Sequence, residues 1–183
     1  MKLRKKLLAA VLTLVMVFTI TIPSLVTATE NTKTLDVLFM HDMHSHLNPF
    51  TVMQDGEAVQ VGGLSRMMTL VKQKFAANPN TLFVDAGDYS MGTVVQSVFE
   101  TDSAELRTLG AMGVDALTLG NHEYDFGPDG LGRSLMTAKN SGEKVPAIVV
   151  SNIDMEATKA QVQSDKRDTL LSAFEAYGVK EYI

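Results

Sequence analysis

The 183-residue chain contains no cysteine. Disulfides are excluded, and so is any metal site built on thiolates. Positive charge is scarce and unevenly placed. There are 16 Lys and Arg against 21 Asp and Glu, and four of the 16 (Lys2, Arg4, Lys5 and Lys6) fall in the first six residues. Without those four, 12 basic residues oppose 21 acidic ones, a formal net charge of −9. A surface this acidic argues against binding nucleic-acid polymers, which needs a basic footprint. It does not argue against a single phosphate group held through cations. No strand-like run is followed by G-x-G-x-x-G, which argues against a Rossmann-type phosphate site. The sequence shows no internal repeat, low-complexity tract or linker to a second domain.

The early basic residues belong to a recognisable pattern. A basic start is followed by Leu7–Ile22 without a charge, then Pro23-Ser24, then Val26-Thr27-Ala28 with short residues at the −3 and −1 positions of a cut. This is the order of a secretory signal peptide. The alternative is an uncleaved anchor, but the charge-free run is shorter than the ~20 residues a spanning helix needs. Either way the expectation is export, with residues 1–28 as the signal and 29–183 as the folded part. Membrane contact is expected only through the export signal.

Beyond the signal, short apolar runs alternate with helical periodicity. Strands are predicted at Leu35–Phe39, Thr81–Val84, Val114–Leu119 and Pro146–Val150, and a fifth begins at Val179–Ile183. Asn48-Pro49 signals a turn. Gly62-Gly63 opens a helix with Leu64, Met67, Met68, Val71 and Phe75 on one buried face. Further helices are predicted from Thr101 or Asp102 to Leu109, near Leu131–Lys139, and over Gln161–Ala176. Alternating strands and helices give an α/β fold with a parallel sheet.

Three of the strands end in polar clusters: Met40-His41-Asp42-Met43-His44-Ser45-His46, Asp85-Ala86-Gly87-Asp88 and Gly120-Asn121-His122-Glu123. In parallel α/β folds the carboxyl ends of strands share one edge, where ligands bind. If Asp42 and His44 are extended, they point the same way and can hold one ion. Gly87 permits a sharp turn or a close approach beside Asp88, whose two oxygens can bridge two cations. Asn121 offers a neutral carbonyl oxygen to the second. These oxygen and nitrogen donors suit Mn, Fe, Co, Ni or Zn. Singly, each residue has an ordinary reading. His44 and His122 could be loop histidines, Asp88 a turn residue or cap, Asn121 a helix cap, and Asp125 a turn former before Gly127. Glu123 is either a support to the site or a solvated side chain. His41 and His46 are read as structural or supporting residues, not ligands.

Asp42-x-His44, Gly87-Asp88 and Gly120-Asn121-His122-Glu123 together resemble the first three motifs of the calcineurin-like metallophosphoesterases. The finer pattern, His41 to His46 with Gly120-Asn121-His122-Glu123-Tyr124-Asp125-Phe126-Gly127, is similar to the bacterial 5′-nucleotidase and 2′,3′-cyclic-nucleotide phosphodiesterase branch. The similarity runs from about Leu35 to Ile183. It implies an α/β/β/α sandwich and two divalent metal ions. Asp42 and His44 would hold the first ion, Asp88 would bridge, and Asn121 would hold the second. It further implies His122 as the catalytic imidazole and Asp125 as its orienting partner. Asn152 matches a segment bordering the family's site and receives no firm role. The implied substrate is a nucleotide or other small phosphoester. It would be hydrolysed by a hydroxide held between two ions ~3.5–4 Å apart, with His122 protonating the leaving oxygen.

The chain departs from that family in one respect. Its four histidines are His41, His44, His46 and His122, and the family's later metal-binding histidines have no counterpart. The resemblance therefore implies a fragment or truncated product holding only the N-terminal part of the sandwich, with one face of its sheet left bare and apolar. A non-catalytic remnant is the competing expectation.

Overall fold

The computed structural model describes residues 32–161 and 165–179. The predicted signal at 1–28 and most of the predicted fifth strand lie outside the described residues. Four parallel strands form the sheet: β1 (Asp36–Met40), β4 (Thr81–Asp85), β5 (Ala116–Leu117) and β6 (Ala147–Ile148), adjacent in that order. Asp36–Met40 pairs residue for residue with Thr81–Asp85. Because the order never reverses, right-handed crossovers put the connecting helices on one face. These helices are α1 (Leu64–Ala77), α2 (Ala104–Met112) and α3 (Gly127–Asn140). Two more, α4 (Met155–Gln161) and α5 (Asp165–Tyr177), follow β6.

Side-chain alternation sorts the sheet into two faces. Met40, Asp85, Leu117 and Ile148 stand in one cross-strand row on the helical side, and all four are buried. With Phe83 they meet Leu64 and Val71 of α1, Leu106 and Leu109 of α2, and Leu131 and Leu135 of α3 in a single core. Met67, Met68 and Phe75 are half-buried against it, so the predicted stripe of the first helix does face the core.

The opposite face carries Val37, Phe39, Leu82 and Val149, which are 55%, 64%, 39% and 49% exposed. This is the bare apolar face that the sequence led us to expect.

Several elements differ from expectation. Residues 50–61, unassigned from sequence, form an antiparallel hairpin of β2 (Phe50–Gln54) and β3 (Glu57–Val61). Its two-residue turn is Asp55-Gly56, with φ of 53° and 86°. Positive φ at both positions is the turn geometry that Asp-Gly favours. The third strand, Ala116–Leu117, is shorter than predicted; at its start the Asp115 carboxylate accepts the Phe83 N–H (3.0 Å). α2 starts at Ala104, with Ser103 before it in a left-handed conformation, and runs through Gly110 to Gly113. The helix predicted at 161–176 is present as α5, Asp165–Tyr177, and a further helix not predicted from sequence, α4, precedes it at Met155–Gln161. Asp154 starts α4 by accepting the Ala157 N–H at 2.7 Å. Among the described residues, no helix is long and apolar enough to cross a membrane.

The bare face has a testable consequence. Val37 and Leu82 are register partners on it. Replacing both with Thr should change unfolding free energy by no more than about 0.5 kcal/mol per site, while hydrophobic-dye fluorescence and self-association both fall. Unchanged dye binding would mean that this face is covered in solution.

Candidate metal centre

The site begins where β1 and β4 stop, because their pairing does not stop with them. Ala86 N–H donates to Met40 O (2.9 Å), Asp42 N–H to Gly87 O (3.0 Å), His44 N–H to Asp88 O (3.0 Å) and Ser45 N–H to Tyr89 O (2.9 Å). The two loops thus run as a hydrogen-bonded pair. Within them Asp42, His44 and Asp88 have φ of 52°, 47° and 53°. This corrects the route inferred from sequence. Asp42 and His44 converge through left-handed backbone, not through the alternation of an extended strand. For residues with a Cβ that conformation costs about 1–2 kcal/mol each, and such outliers gather at functional sites.

One potential ligand atom from each of Asp42, His44 and Asp88 lies within 4.8 Å of the others. His44 Nε2 is 3.4 Å from Asp42 Oδ1. His44 Nδ1 lies 3.1 Å from Met91 O. A carbonyl can only accept, so this contact uses Nδ1 as the donor and leaves Nε2 as the nitrogen turned toward the carboxylates. Ligation of a metal through Nε2 goes with an Nδ1–H held in this way. Asp42 is held below the usual carboxylate range, first by its hydrogen bond with His41 and then by His44. Two oxygen donors and one imidazole nitrogen fit a divalent cation of the Mn, Co, Fe or Zn type.

The third loop docks onto the second. His122 N–H donates to Asp88 Oδ1 at 3.0 Å, which puts His122 beside the cluster, while Asn121 just before it is exposed. Close approach requires glycine on both sides. A Cβ on Gly87 would lie 2.5 Å from Gly120 N, and a Cβ on Gly120 would collide with Asp88 Oδ1. The His122 ring stands edge-on to that of His44, with centroids 5.1 Å apart. Its Nδ1 is 2.7 Å from Asp125 Oδ2. That hydrogen bond, followed by the charges of Asp125, Asp88 and Glu123, raises the imidazole above its ordinary pKa. His122 therefore keeps its proton to higher pH than a free imidazole would.

Glu123 is not a solvated side chain. It is fully buried and accepts four hydrogen bonds: from Asp88 N (3.0 Å), Gly120 N (2.7 Å), Ser90 N (3.0 Å) and Ser90 Oγ (2.9 Å). It ties the second loop to the third. Asp85, at the end of β4, accepts the Gly87 N–H at 2.7 Å and is pushed up to about 6 by burial. His41 hydrogen-bonds the Asp42 carboxylate and packs on Phe39, with centroids 5.5 Å apart. His46 is not among the three clustered residues; its Nδ1 lies 3.3 Å from Met43 O and its ring packs against Phe50. Asn152 is exposed just beyond β6. Sequence reasoning passed over Ser45 and Ser90, both fully buried. Their signal was position: each is a small hydroxyl within two residues of a proposed ligand.

Two outcomes follow. Asp125→Asn should move the His122 titration to lower pH, read from its imidazole NMR shifts. An unmoved midpoint would mean that Asp125 does not set the proton affinity. Glu123→Gln places an amide NH2 against backbone donors. Chemical unfolding should register a loss of about 2–3 kcal/mol, with native-like circular dichroism in the variant that remains folded.

Comparison with known proteins bears on the same region. Bovine 5′-nucleotidase is 39% identical over 102 residues, which cover 53% of this chain and 17% of that protein. The crystal structure of a 5′-nucleotidase precursor from Thermus thermophilus is 32% identical, with a TM-score of 0.57 over 67% of this chain and 23% of that one. The NAD nucleotidase of Haemophilus influenzae is 30% identical, with a TM-score of 0.55 over 64% and 23%. The chain thus spans less than a quarter of the length of each. A family model described as calcineurin-like phosphoesterase matches residues 35–165. That stretch holds all four strands of the parallel sheet and the three loops around Asp42, His44 and Asp88, and the chain belongs to the calcineurin-like phosphoesterase family.

Proposed function

We propose that this chain carries the nucleophile side of a two-metal phosphoester hydrolase that acts on nucleotides, as the names of its relatives describe for them. The observation that supports this most directly is the convergence of Asp42, His44 and Asp88 beside the His122–Asp125 pair. Asp42 and His44 would hold one divalent cation, Asp88 would be shared with a second, and Asn121 would offer that second ion its side-chain oxygen. Divalent cations at such a site supply Lewis acidity and make a bound water acidic enough to act as a nucleophile near neutral pH.

The remaining steps belong to the protein's own groups. Asp42, Asp88, Glu123 and Asp125 make the site strongly negative, so a phosphate ester would be repelled without cations. His122 lies at the rim of the cluster and retains its proton through Asp125. It donates that proton to the leaving oxygen of the ester. Asp125 holds the ring so that Nε2 is the donating nitrogen. The charge-free stretch at Leu7–Ile22 supports export of the folded part across a membrane.

A second reading is favoured by a specific observation. Among the described residues there is one group of three His, Asp or Glu ligands, and no histidine follows His122. On this reading the chain alone binds a single cation and turns over no substrate.

Calorimetric titration of the metal-free chain with Mn²⁺ separates the two. Two ions per chain are expected, with Asp88→Asn weakening both by about ten-fold or more. Phosphate release from AMP or 2′,3′-cyclic AMP should appear only with the ions present. One weak ion and no phosphate release would support the second reading. No binding at all would overturn both.

A further inference from the structure

Glu105 lies outside all three loops, yet its carboxylate reaches the first of them. It sits in the first turn of α2 and is fully buried. Its Oε1 accepts a 2.6 Å hydrogen bond from Ser45 Oγ. Its Oε2 is buried with no hydrogen-bond partner among the described residues. A buried carboxylate with an unsatisfied oxygen is a stability cost. Packing does not demand it. Leu109 and Met112 follow on the same helical stripe as buried apolar side chains, so an apolar residue would suit the position. What Glu105 holds therefore accounts for it better than what it stabilises.

It holds the residue after His44. Ser45 is fully buried with φ 55°, next to His44 at 47°. Two consecutive left-handed residues with side chains relax toward ordinary backbone unless something over-determines them. Here the Ser45 N–H is fixed on Tyr89 O (2.9 Å), its carbonyl accepts from Thr93 Oγ1 (2.7 Å), and its hydroxyl is fixed on Glu105. The anchor is firm. Leu106 and Leu109 of α2 are fully buried, and Ser103 at its start shares a 2.9 Å hydrogen bond with Ser134 of α3.

We infer that Glu105 is a positioning residue: by gripping Ser45 Oγ it keeps the His44 backbone left-handed and aims the imidazole Nε2 into the Asp42–Asp88 cluster. The inference rests on the metal reading of that cluster and extends it to a helix that contributes no ligand. The function asked of Glu105 is acceptance of one hydrogen bond. The Glu105→Gln variant would still accept it through its amide oxygen, whereas Ser45→Ala removes the donor.

The test uses Ser45→Ala, Glu105→Gln and Glu105→Leu in the full chain, with two readouts. The first is the ¹⁵N signature of the His44 ring in metal-free protein in mildly alkaline buffer. The second is Co²⁺ affinity with its visible spectrum. Wild type and Glu105→Gln should show a single Nδ1–H tautomer and matching Co²⁺ spectra. Ser45→Ala and Glu105→Leu should show mixed tautomers, an altered spectrum and an affinity lower by about ten-fold or more. If Glu105→Leu does not fold, Ser45→Ala carries the comparison, since it removes only a hydroxyl. A Ser45→Ala ring signature and Co²⁺ spectrum identical to wild type would overturn the inference. So would damage from Glu105→Gln equal to that from Glu105→Leu. If wild type binds no Co²⁺, the metal reading fails, and the tautomer readout still decides whether Glu105 positions His44.

Discussion

The site depends on a backbone ladder that outlives its strands. β1 and β4 cease to be regular at Met40 and Asp85, yet their chains remain hydrogen-bonded through Ser45 and Tyr89. A parallel pair normally separates at its carboxyl edge and leaves its loops to find their own shapes. Here the loops are held in register while their backbones fold into left-handed turns. Asp42, His44 and Asp88 then project from two adjacent, mutually braced chains. The N–H groups of Asp42, His44 and Ser45 each end on a carbonyl of the second loop, so the two loops brace one another at these positive-φ positions.

The electrostatics follow from the same arrangement. Bringing two carboxylates and an imidazole within 4.8 Å collects negative charge that only cations or protons relieve. The protein relieves part of it with neighbours. His41 sits on Asp42, and backbone or hydroxyl donors saturate Glu123. Asp85, buried at the end of β4 with Glu123 and Asp42 nearby, is instead shifted upward. The two buried carboxylates, Asp85 and Glu123, differ in the number of their hydrogen-bond donors. Glu123 receives four hydrogen bonds, whereas Asp85 receives one and leaves Oδ2 buried without a partner among the described residues.

Much of this was legible in the sequence, because the strongest signals are local. Apolar runs ending in Asp42, Asp88 and Asn121 marked both the strands and the edge where their loops gather. The Leu64–Val71 stripe marked the first helix and its buried side. What escaped was non-local or conformational. Asp42-x-His44 fits an extended pair just as well as the left-handed turns observed, since spacing does not report φ. Glu123 reads like any charged residue near a turn until Gly120, Asp88 and Ser90 are folded around it. Glu105 announces itself only as a charge on an apolar helical stripe. The Asp55-Gly56 hairpin was readable in principle, because that dipeptide favours positive φ at both positions. Its flanking strands were passed over because their alternation is weak: four of the five residues in Phe50–Gln54 are exposed.

The two faces of the sheet carry unequal weight for the chemistry. The groups around the candidate cluster are drawn mainly from the loop ladder or from the helical side: Met40, Asp85 and Leu117 in the buried row, Glu105 from α2, and Glu123 from the turn before α3. The bare face contributes Val37, Phe39, Leu82 and Val149, of which only Phe39 touches the site's surroundings, by packing on His41. The geometry around Asp42, His44 and Asp88 is thus set by one half of a layered fold. Covering the other face would change solubility and stability through apolar burial, whereas the left-handed turns at Asp42, His44 and Ser45 are held by N–H bonds to the second loop.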